Sequence, residues 1–257
     1  MIDDQTTIKQ LREFYGERKI SAVNLGCPSQ SCCRGATEEH GGTFTTAREV
    51  GLGVRYLDGT RPRILVVSLD PGSYPQDEHS KPKTRMMESQ ICREPRSKAE
   101  LGSSNCHWYR THEGVACLVN ALAKEALAKE DKETITVNEA ALWFAHTSVV
   151  RCCANLPSRR QAPREMFWSC RDYLRREIEI LTPDIIWTQG GSAFDAMSWL
   201  ARYIEPATGN SLTPPQKARR IRLNSATWVH TNYPTRGWEK SLCVLRSASW
   251  NPTPAES

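Results

Sequence analysis

The chain has 257 residues, of which 39% are hydrophobic, and its 34 lysines and arginines exceed its 29 aspartates and glutamates by five. This length is sufficient for one large domain with a buried core, and no stretch of the sequence is apolar enough to span a bilayer. The small positive charge does not by itself identify a nucleic-acid-binding protein. The first residues carry charges where a signal peptide needs an apolar stretch, so we expect a cytoplasmic protein with reduced thiols.

Four short apolar runs are predicted to be β-strands. They are residues 63–70, 143–150, 184–189 and 227–232. Their nearly continuous hydrophobicity is typical of parallel strands that helices cover on both faces. Helical patterns lie between them, at residues 113–129, 164–181 and 192–203. The alternation predicts a three-layer α/β/α fold around a central four-stranded, mainly parallel sheet.

Two polar stretches do not follow this alternation. Residues 73–112 are too long for a plain connection and are predicted to be an inserted functional loop or lid, and residues 205–220 are predicted to be a shorter basic loop. The tail from residue 251 is expected to be disordered. We expect the whole chain, residues 1–257, to form a single domain.

In α/β folds of this kind a ligand binds at the carboxyl ends of the strands. The polar residues near the ends of the four runs are therefore candidates for chemistry. They are Asp70, Ser148, Gln189 and His230. Asp70 is followed by Pro71, which fixes one dihedral angle, and by Gly72, which allows a sharp turn and a close approach of the backbone to a ligand.

Three segments carry a resemblance to a known family. The turn that contains Asp70 resembles the first motif of the uracil-DNA glycosylase superfamily. Residues 147–152, Thr-Ser-Val-Val-Arg-Cys, are similar to a Thr-Asn-Val-Val-Lys-Cys segment of its iron–sulfur branches, families four and five. Residues 229–234, Val-His-Thr-Asn-Tyr-Pro, resemble the second motif, which begins with a histidine. The likeness covers roughly residues 20–245.

The resemblance implies a monofunctional DNA glycosylase, which flips a base out of DNA and hydrolyses its glycosidic bond. Asp70 falls on the position that activates water, and His230 on the position that stabilises the departing base. Neither motif contains a lysine, so Schiff-base lyase chemistry is not expected. Base or DNA contacts are implied for a wider set of residues. They are Leu69, Pro71, Gly72, Tyr109 (or Trp108) as a stacking platform, Ser148, Gln189, Gly190, Ser192, Asn232 and Arg236.

The ten cysteines favour metal ligation over a disulfide framework in a reducing compartment. The resemblance implies a [4Fe–4S] cluster held by Cys152, Cys170, Cys27 and one of the neighbouring Cys32 and Cys33; Arg34, which follows Cys33, favours Cys33. Zinc is the alternative metal, and buried free thiols are the alternative to any metal.

Two residues depart from the pattern of the uracil enzymes. Ser148 replaces their base-reading asparagine and cannot make a bidentate amide contact, and Gly72 replaces a bulky tyrosine of the most uracil-restricted branch. We therefore expect a modified pyrimidine as substrate, such as the glucosylated hydroxymethylcytosine of some phage genomes, and a role in antiviral defence. Uracil excision in base-excision repair is the first alternative, and a non-catalytic iron–sulfur nucleic-acid-binding protein is the second. DNA is the expected partner of a monomer that needs no membrane and no obligate protein partner.

Overall fold

A computed structural model describes most of the chain. The described residues are 4–18, 26–44, 50–69, 91–126, 134–154, 156, 162–204, 221–223, 226–231 and 238–246. The helices are α1 (Asp4–Glu17), α2 (Gln30–Glu39), α3 (Lys98–Leu101), α4 (His107–Ala126), α5 (Arg164–Leu181), α6 (Gly191–Ile204) and α7 (Trp238–Arg246). The strands are β1 (Gly51–Gly53), β2 (Ile64–Ser68), β3 (Ile91–Cys92), β4 (Phe144–Ser148), β5 (Ile185–Gln189), β6 (Ile221–Leu223) and β7 (Ala226–Thr231).

The sheet has the strand order β3-β1-β4-β2-β5-β7-β6. Its four central strands, β4, β2, β5 and β7, are the four predicted ones, and each is parallel to its central neighbours. The α/β class is confirmed, but the predicted number of four strands is wrong, because the described residues form seven in a mixed sheet. The three additional strands have only two or three residues each, which is too short for a hydrophobic period to show in the sequence.

Helices cover both faces of the sheet. On one face, side chains such as Leu65 and Trp228 pack in a core with α1, α5 and α6. On the other face, side chains such as Val66 and Trp187 pack in a second core with α4 and α7. The alternation of side chains along a strand produces these two cores. Among the helices that the structure describes, none has both the length and the apolar character required to cross a membrane.

The prediction that residues 73–112 form a loop is wrong for residues 91–112. Residues 73–90 lie outside the described residues. Residues 91–112 contain β3, α3 and the first turns of α4, which begins at His107 rather than at residue 113. The polar start of α4 hides its helical period. Helix α3 begins with a capping box, in which Ser97 accepts from the backbone N–H of Glu100 and the Glu100 carboxylate accepts from that of Ser97. The predicted loop 205–220 and the tail from residue 251 lie outside the described residues.

Candidate active site

The carboxyl ends of the four central strands lie at one edge of the sheet, because these strands are parallel. Ser68 at the end of β2 is in register with Ser148 at the end of β4. Leu69 continues this pairing, since its carbonyl accepts a hydrogen bond from the backbone N–H of Val150 at 3.0 Å. Ser148 is buried and Leu69 is half-buried. This edge therefore carries several of the predicted site residues close together.

A strand-end network of hydrogen bonds lies on the α4 face of this edge. It consists of Ser68, His146, Gln189, Thr111 and His107. The Ser68 hydroxyl lies 2.9 Å from Nε2 of His146 and donates to Oε1 of Gln189 at 3.3 Å. The Gln189 amide donates to the Thr111 hydroxyl at 3.0 Å, and His107 also hydrogen-bonds Gln189. With Ser68 donating to Gln189, His146 donates from Nε2. Gln189 is thus held inside the protein, where it positions the end of β5.

Sequence reasoning did not find four of these five residues. The available signal was the period of two along a strand, which places polar Ser68 and His146 on one face of otherwise apolar strands. Thr111 and His107 gave no such signal, because they join the network from the first turns of α4.

The predicted stacking residues are also in α4. The half-buried Trp108 packs edge-on against His112 and His146, with ring centroids 4.6 and 5.2 Å apart. Trp108 is therefore engaged in packing against the sheet. Tyr109, the next residue, is half-buried in the first turn of α4, and its role as a platform stays a prediction.

His230 lies near the carboxyl end of β7, on the α6 face of the sheet. Its Nδ1 is 3.1 Å from the Thr188 hydroxyl, and its ring centroid is 4.7 Å from that of Phe194. Burial lowers the pKa of His230 to about 4, so the imidazole is neutral at physiological pH. With Nδ1 beside Thr188, Nε2 is the nitrogen that can serve a substrate.

The remaining predicted residues at this edge differ in how far the structure describes them. Gly190 adopts a left-handed conformation with φ of +87°, and its N–H donates to the Thr231 carbonyl at 2.9 Å. Gly191 is exposed and begins α6, followed by the half-buried Ser192, so the first N–H groups of that helix lie at the sheet edge. Outside the described residues lie Asp70, Pro71, Gly72, Asn232 and Arg236, and their roles stay predictions.

Four of the predicted cysteine ligands come from separate segments but lie near one another. Cys33, Cys152 and Cys170 are buried in one core and Cys27 packs against it, whereas Cys32 is exposed. Burial, together with the charge that Cys170, Cys33 and Cys27 would carry, raises the pKa of Cys152. Within the described part of the chain, no three His, Cys, Asp or Glu side chains are arranged to hold a metal ion.

The surroundings of these sulfur atoms contain hydrogen-bond donors. The backbone N–H of Arg151 donates to Sγ of Cys170 at 3.4 Å, although burial still raises the pKa of Cys170 to about 12. The buried hydroxyl of Tyr173 makes no hydrogen bond of normal geometry with the described residues and lies beside Cys27. These donors could stabilise anionic sulfur.

The comparison with protein families gives a match. Residues 54–251 match the model of the uracil DNA glycosylase superfamily, and this range contains the four central strands and the three resembling segments. A search of curated proteins finds no match. Members of the superfamily are DNA glycosylases, and the match does not distinguish its branches. Because the matched range covers most of the sequence, the chain belongs to the uracil DNA glycosylase superfamily.

Proposed function

We propose that the protein is a monofunctional DNA glycosylase that everts a modified pyrimidine and hydrolyses its N-glycosidic bond, which leaves an abasic site. One observation carries the proposal. The segment that resembles the first superfamily motif follows β2, and the segment that resembles the second includes the end of β7. The carboxyl ends of β2 and β7 lie at the same edge of the sheet, with only β5 between them. Two strand spacings separate these ends by roughly 10 Å, which leaves room for an everted nucleotide.

The chemistry follows from the charges that develop during the reaction. Cleavage of the glycosidic bond builds positive charge on the sugar and negative charge on the departing base. Asp70 would orient the attacking water and stabilise the sugar cation. His230 would hydrogen-bond the departing base through Nε2, the ring nitrogen that does not contact Thr188.

The substrate proposal is based on the size of the side chains at the sheet edge. Ser68 and Ser148 are in register at neighbouring strand ends. The uracil enzymes have an asparagine at the position of Ser148. Two short hydroxyl side chains leave more space than an amide and offer no bidentate contact to the edge of uracil. A larger pyrimidine, such as glucosylated hydroxymethylcytosine, is therefore our first candidate, with antiviral defence as the associated role. Uracil is the alternative.

We also propose a [4Fe–4S] cluster bound by Cys27, Cys33, Cys152 and Cys170. The buried Cys33 fits this set better than the exposed Cys32. A four-iron cluster takes one thiolate on each iron, and the four proposed ligands belong to one region, with Cys33, Cys152 and Cys170 in one core and Cys27 packed against it. Such a cluster would supply iron–thiolate bonds that cross-link α2, α5 and the segment after β4.

The proposed activity is tested with oligonucleotides that each carry one candidate base. We expect wild-type protein to release the modified pyrimidine as a free base, and Asp70→Asn to lower the single-turnover rate at least about a hundredfold while DNA binding is retained. His230→Gln should lower the rate as well. Asp58→Asn is a matched control, because Asp58 is exposed and precedes β2 at its amino end.

Four outcomes of this experiment would change the proposal. Absence of base release from every oligonucleotide, with DNA still bound, would favour the non-catalytic binding protein, and an unchanged rate in Asp70→Asn would remove Asp70 from the catalytic residues. Release of uracil alone would contradict the modified substrate and support the alternative. A strand break that accompanies base release would contradict a monofunctional mechanism.

A further inference from the structure

An aromatic pair lies on the outer surface of α5 and α6. Trp168 in α5 has an exposed fraction of 40%, which is unusual for so large an apolar side chain. Its ring contacts that of Trp199 in α6, with centroids 4.6 Å apart and an interplanar angle of 73°. The exposed Trp168 and the half-buried Trp199 therefore form an aromatic surface at the junction of the two helices.

Arginines accompany both rings. The guanidinium of Arg171 lies 4.8 Å from the ring centroid of Trp199 and 5.7 Å from that of Trp168. The exposed Arg164, at the start of α5, lies 5.7 Å from the Trp168 ring. We call these four residues, Trp168, Trp199, Arg164 and Arg171, the α5 platform. Its flat rings and positive charges match the bases and the phosphates of an unpaired nucleic-acid strand.

A cavity of about 450 Å³ opens beside the platform. Its walls include the platform residues Trp168 and Arg171, together with the aromatic side chains of Phe14 and Tyr173 and the guanidinium of Arg18. The Arg18 guanidinium lies 5.8 Å from the ring of Tyr173. The volume is within the range of small-molecule sites, and the lining combines stacking surfaces and two cations with the carboxylate of Asp172 and with Cys27, the proposed cluster ligand. A nucleobase with its phosphate has this size and chemistry.

The position of the platform relates it to the active-site edge. Helix α5 follows β4, so its first residue lies toward the carboxyl edge of the sheet. Trp168 is four residues into the helix, about 6 Å along the axis. A DNA strand that delivers a base to the edge would then pass within a few nucleotides of this surface.

We propose that the α5 platform and its cavity bind an unpaired nucleotide of the DNA strand, outside the nucleotide that carries the target base. The base stacks on Trp168, and Arg171 and Arg18 neutralise its phosphate. A paired base cannot enter such a cavity, so the site favours single-stranded DNA next to the lesion. The inference relies on the proposed function only in taking DNA as the ligand.

The test measures binding apart from catalysis. The probe is a fluorescently labelled single-stranded 15-nucleotide DNA with a tetrahydrofuran abasic analogue in the centre, which the protein cannot hydrolyse. We expect Trp168→Ala to raise the Kd about tenfold, because one base–aromatic stack is lost, and Trp168→Phe to recover most of the affinity. Arg171→Ala should raise the Kd several-fold. Arg175→Ala, which removes the same charge from an exposed position one turn farther along α5, should change it less than twofold.

Two further measurements separate this site from the active site. The effect of Trp168→Ala should vanish on a DNA with one nucleotide on each side of the analogue, and the single-turnover rate of base release at saturating protein should equal that of the wild type. An unchanged Kd in Trp168→Ala would overturn the proposal, as would an effect that persists on the short DNA or that occurs only with RNA of the same length. If no protein releases a base but the Trp168→Ala effect is present, the proposed function fails while this site stands.

Discussion

Arg151 links the candidate base pocket to the cysteines. Its guanidinium is 2% exposed, and it donates to the Glu177 carboxylate at 2.6 Å and to the Ser148 carbonyl at 2.9 Å. It also contacts the Thr147 hydroxyl. Its own backbone N–H reaches Cys170. The planar guanidinium donates to several acceptors at once. The glycosylase segment that residues 147–152 resemble has a lysine at this position, and a lysine could not make all of these contacts.

Two adjacent cysteines provide the sharpest test of the proposed cluster. Cys33 is 3% exposed and lies near Cys152 and Cys170, whereas Cys32 is exposed. We expect protein purified anaerobically to be brown. Cys33→Ser should lose most of the iron and of the visible absorbance, because one of four ligands is lost, while Cys32→Ser should keep both.

Metal analysis decides between the alternatives of this experiment. Zinc in place of iron would contradict the cluster. Equal iron content in the two variants would remove Cys33 from the ligand set, and the absence of any metal from anaerobic wild-type protein would favour buried free thiols.

At the scale of elements, a close approach of α4 to the sheet depends on one glycine. A Cβ atom built on Gly114 would lie 2.3 Å from the ring of Trp187, which is fully buried in β5. We therefore expect Gly114→Ala to lower the free energy of unfolding by about 1–3 kcal/mol, as overpacking does. Urea denaturation measures this change.

The matched control for that substitution is Gly16→Ala. Gly16 also lies within a helix, α1, but its added Cβ would meet nothing within 4 Å. Alanine is the better helix former, so this variant should be neutral or more stable by up to about 1 kcal/mol. An equal loss of stability in both variants would show that the contact with Trp187 is not the cause.

The elements also show what the sequence could predict. The central strands β2, β4, β5 and β7 were predictable because each lies in a nearly continuous apolar run, and α5 because its stripe ends before Pro183. The strand-end network was not, because it joins Ser68 and Gln189 to Thr111 through contacts between residues 78 to 121 positions apart. The resemblance of motifs pointed to Asp70 and His230. Local periodicity carries no signal for contacts between residues as far apart in the sequence as those of the network.

At the scale of the whole molecule, the two faces of the sheet carry different features. The proposed ligand cysteines, the Arg151–Glu177 pair and the α5 platform lie on the face covered by α1, α5 and α6. The strand-end network and Trp108 lie on the α4 face. The two faces meet at the carboxyl edge, so the proposed pocket is bordered by the strand-end network on one side and by Arg151 and the proposed ligand cysteines on the other.

Three histidines, the buried His112 and the half-buried His107 and His230, predict how the stability of the molecule depends on pH. Burial lowers the pKa of His107, His112 and His230 from 6.5 to about 4. Between these values the unfolded chain binds protons that the folded protein does not, so the free energy of unfolding should fall as pH falls from about 6.5 toward 4. Well above pH 6.5 the slope that these residues contribute disappears. Burial raises the pKa of Glu177, which opposes the trend at the acidic end.

His112 is the residue with which to test this pH dependence, because its side chain is fully buried between Trp108 and Phe144. His112→Phe keeps the ring packing and removes the titrating group. The loss of stability per pH unit below 6.5 should then decrease by up to about 1.4 kcal/mol, with only a small change of slope between pH 7 and 8. Urea midpoints at pH 8, 7, 6 and 5 measure both slopes. An identical slope in the variant and the wild type would contradict a neutral His112. A histidine contributes to this slope only if its pKa is lower in the folded protein than in the unfolded chain.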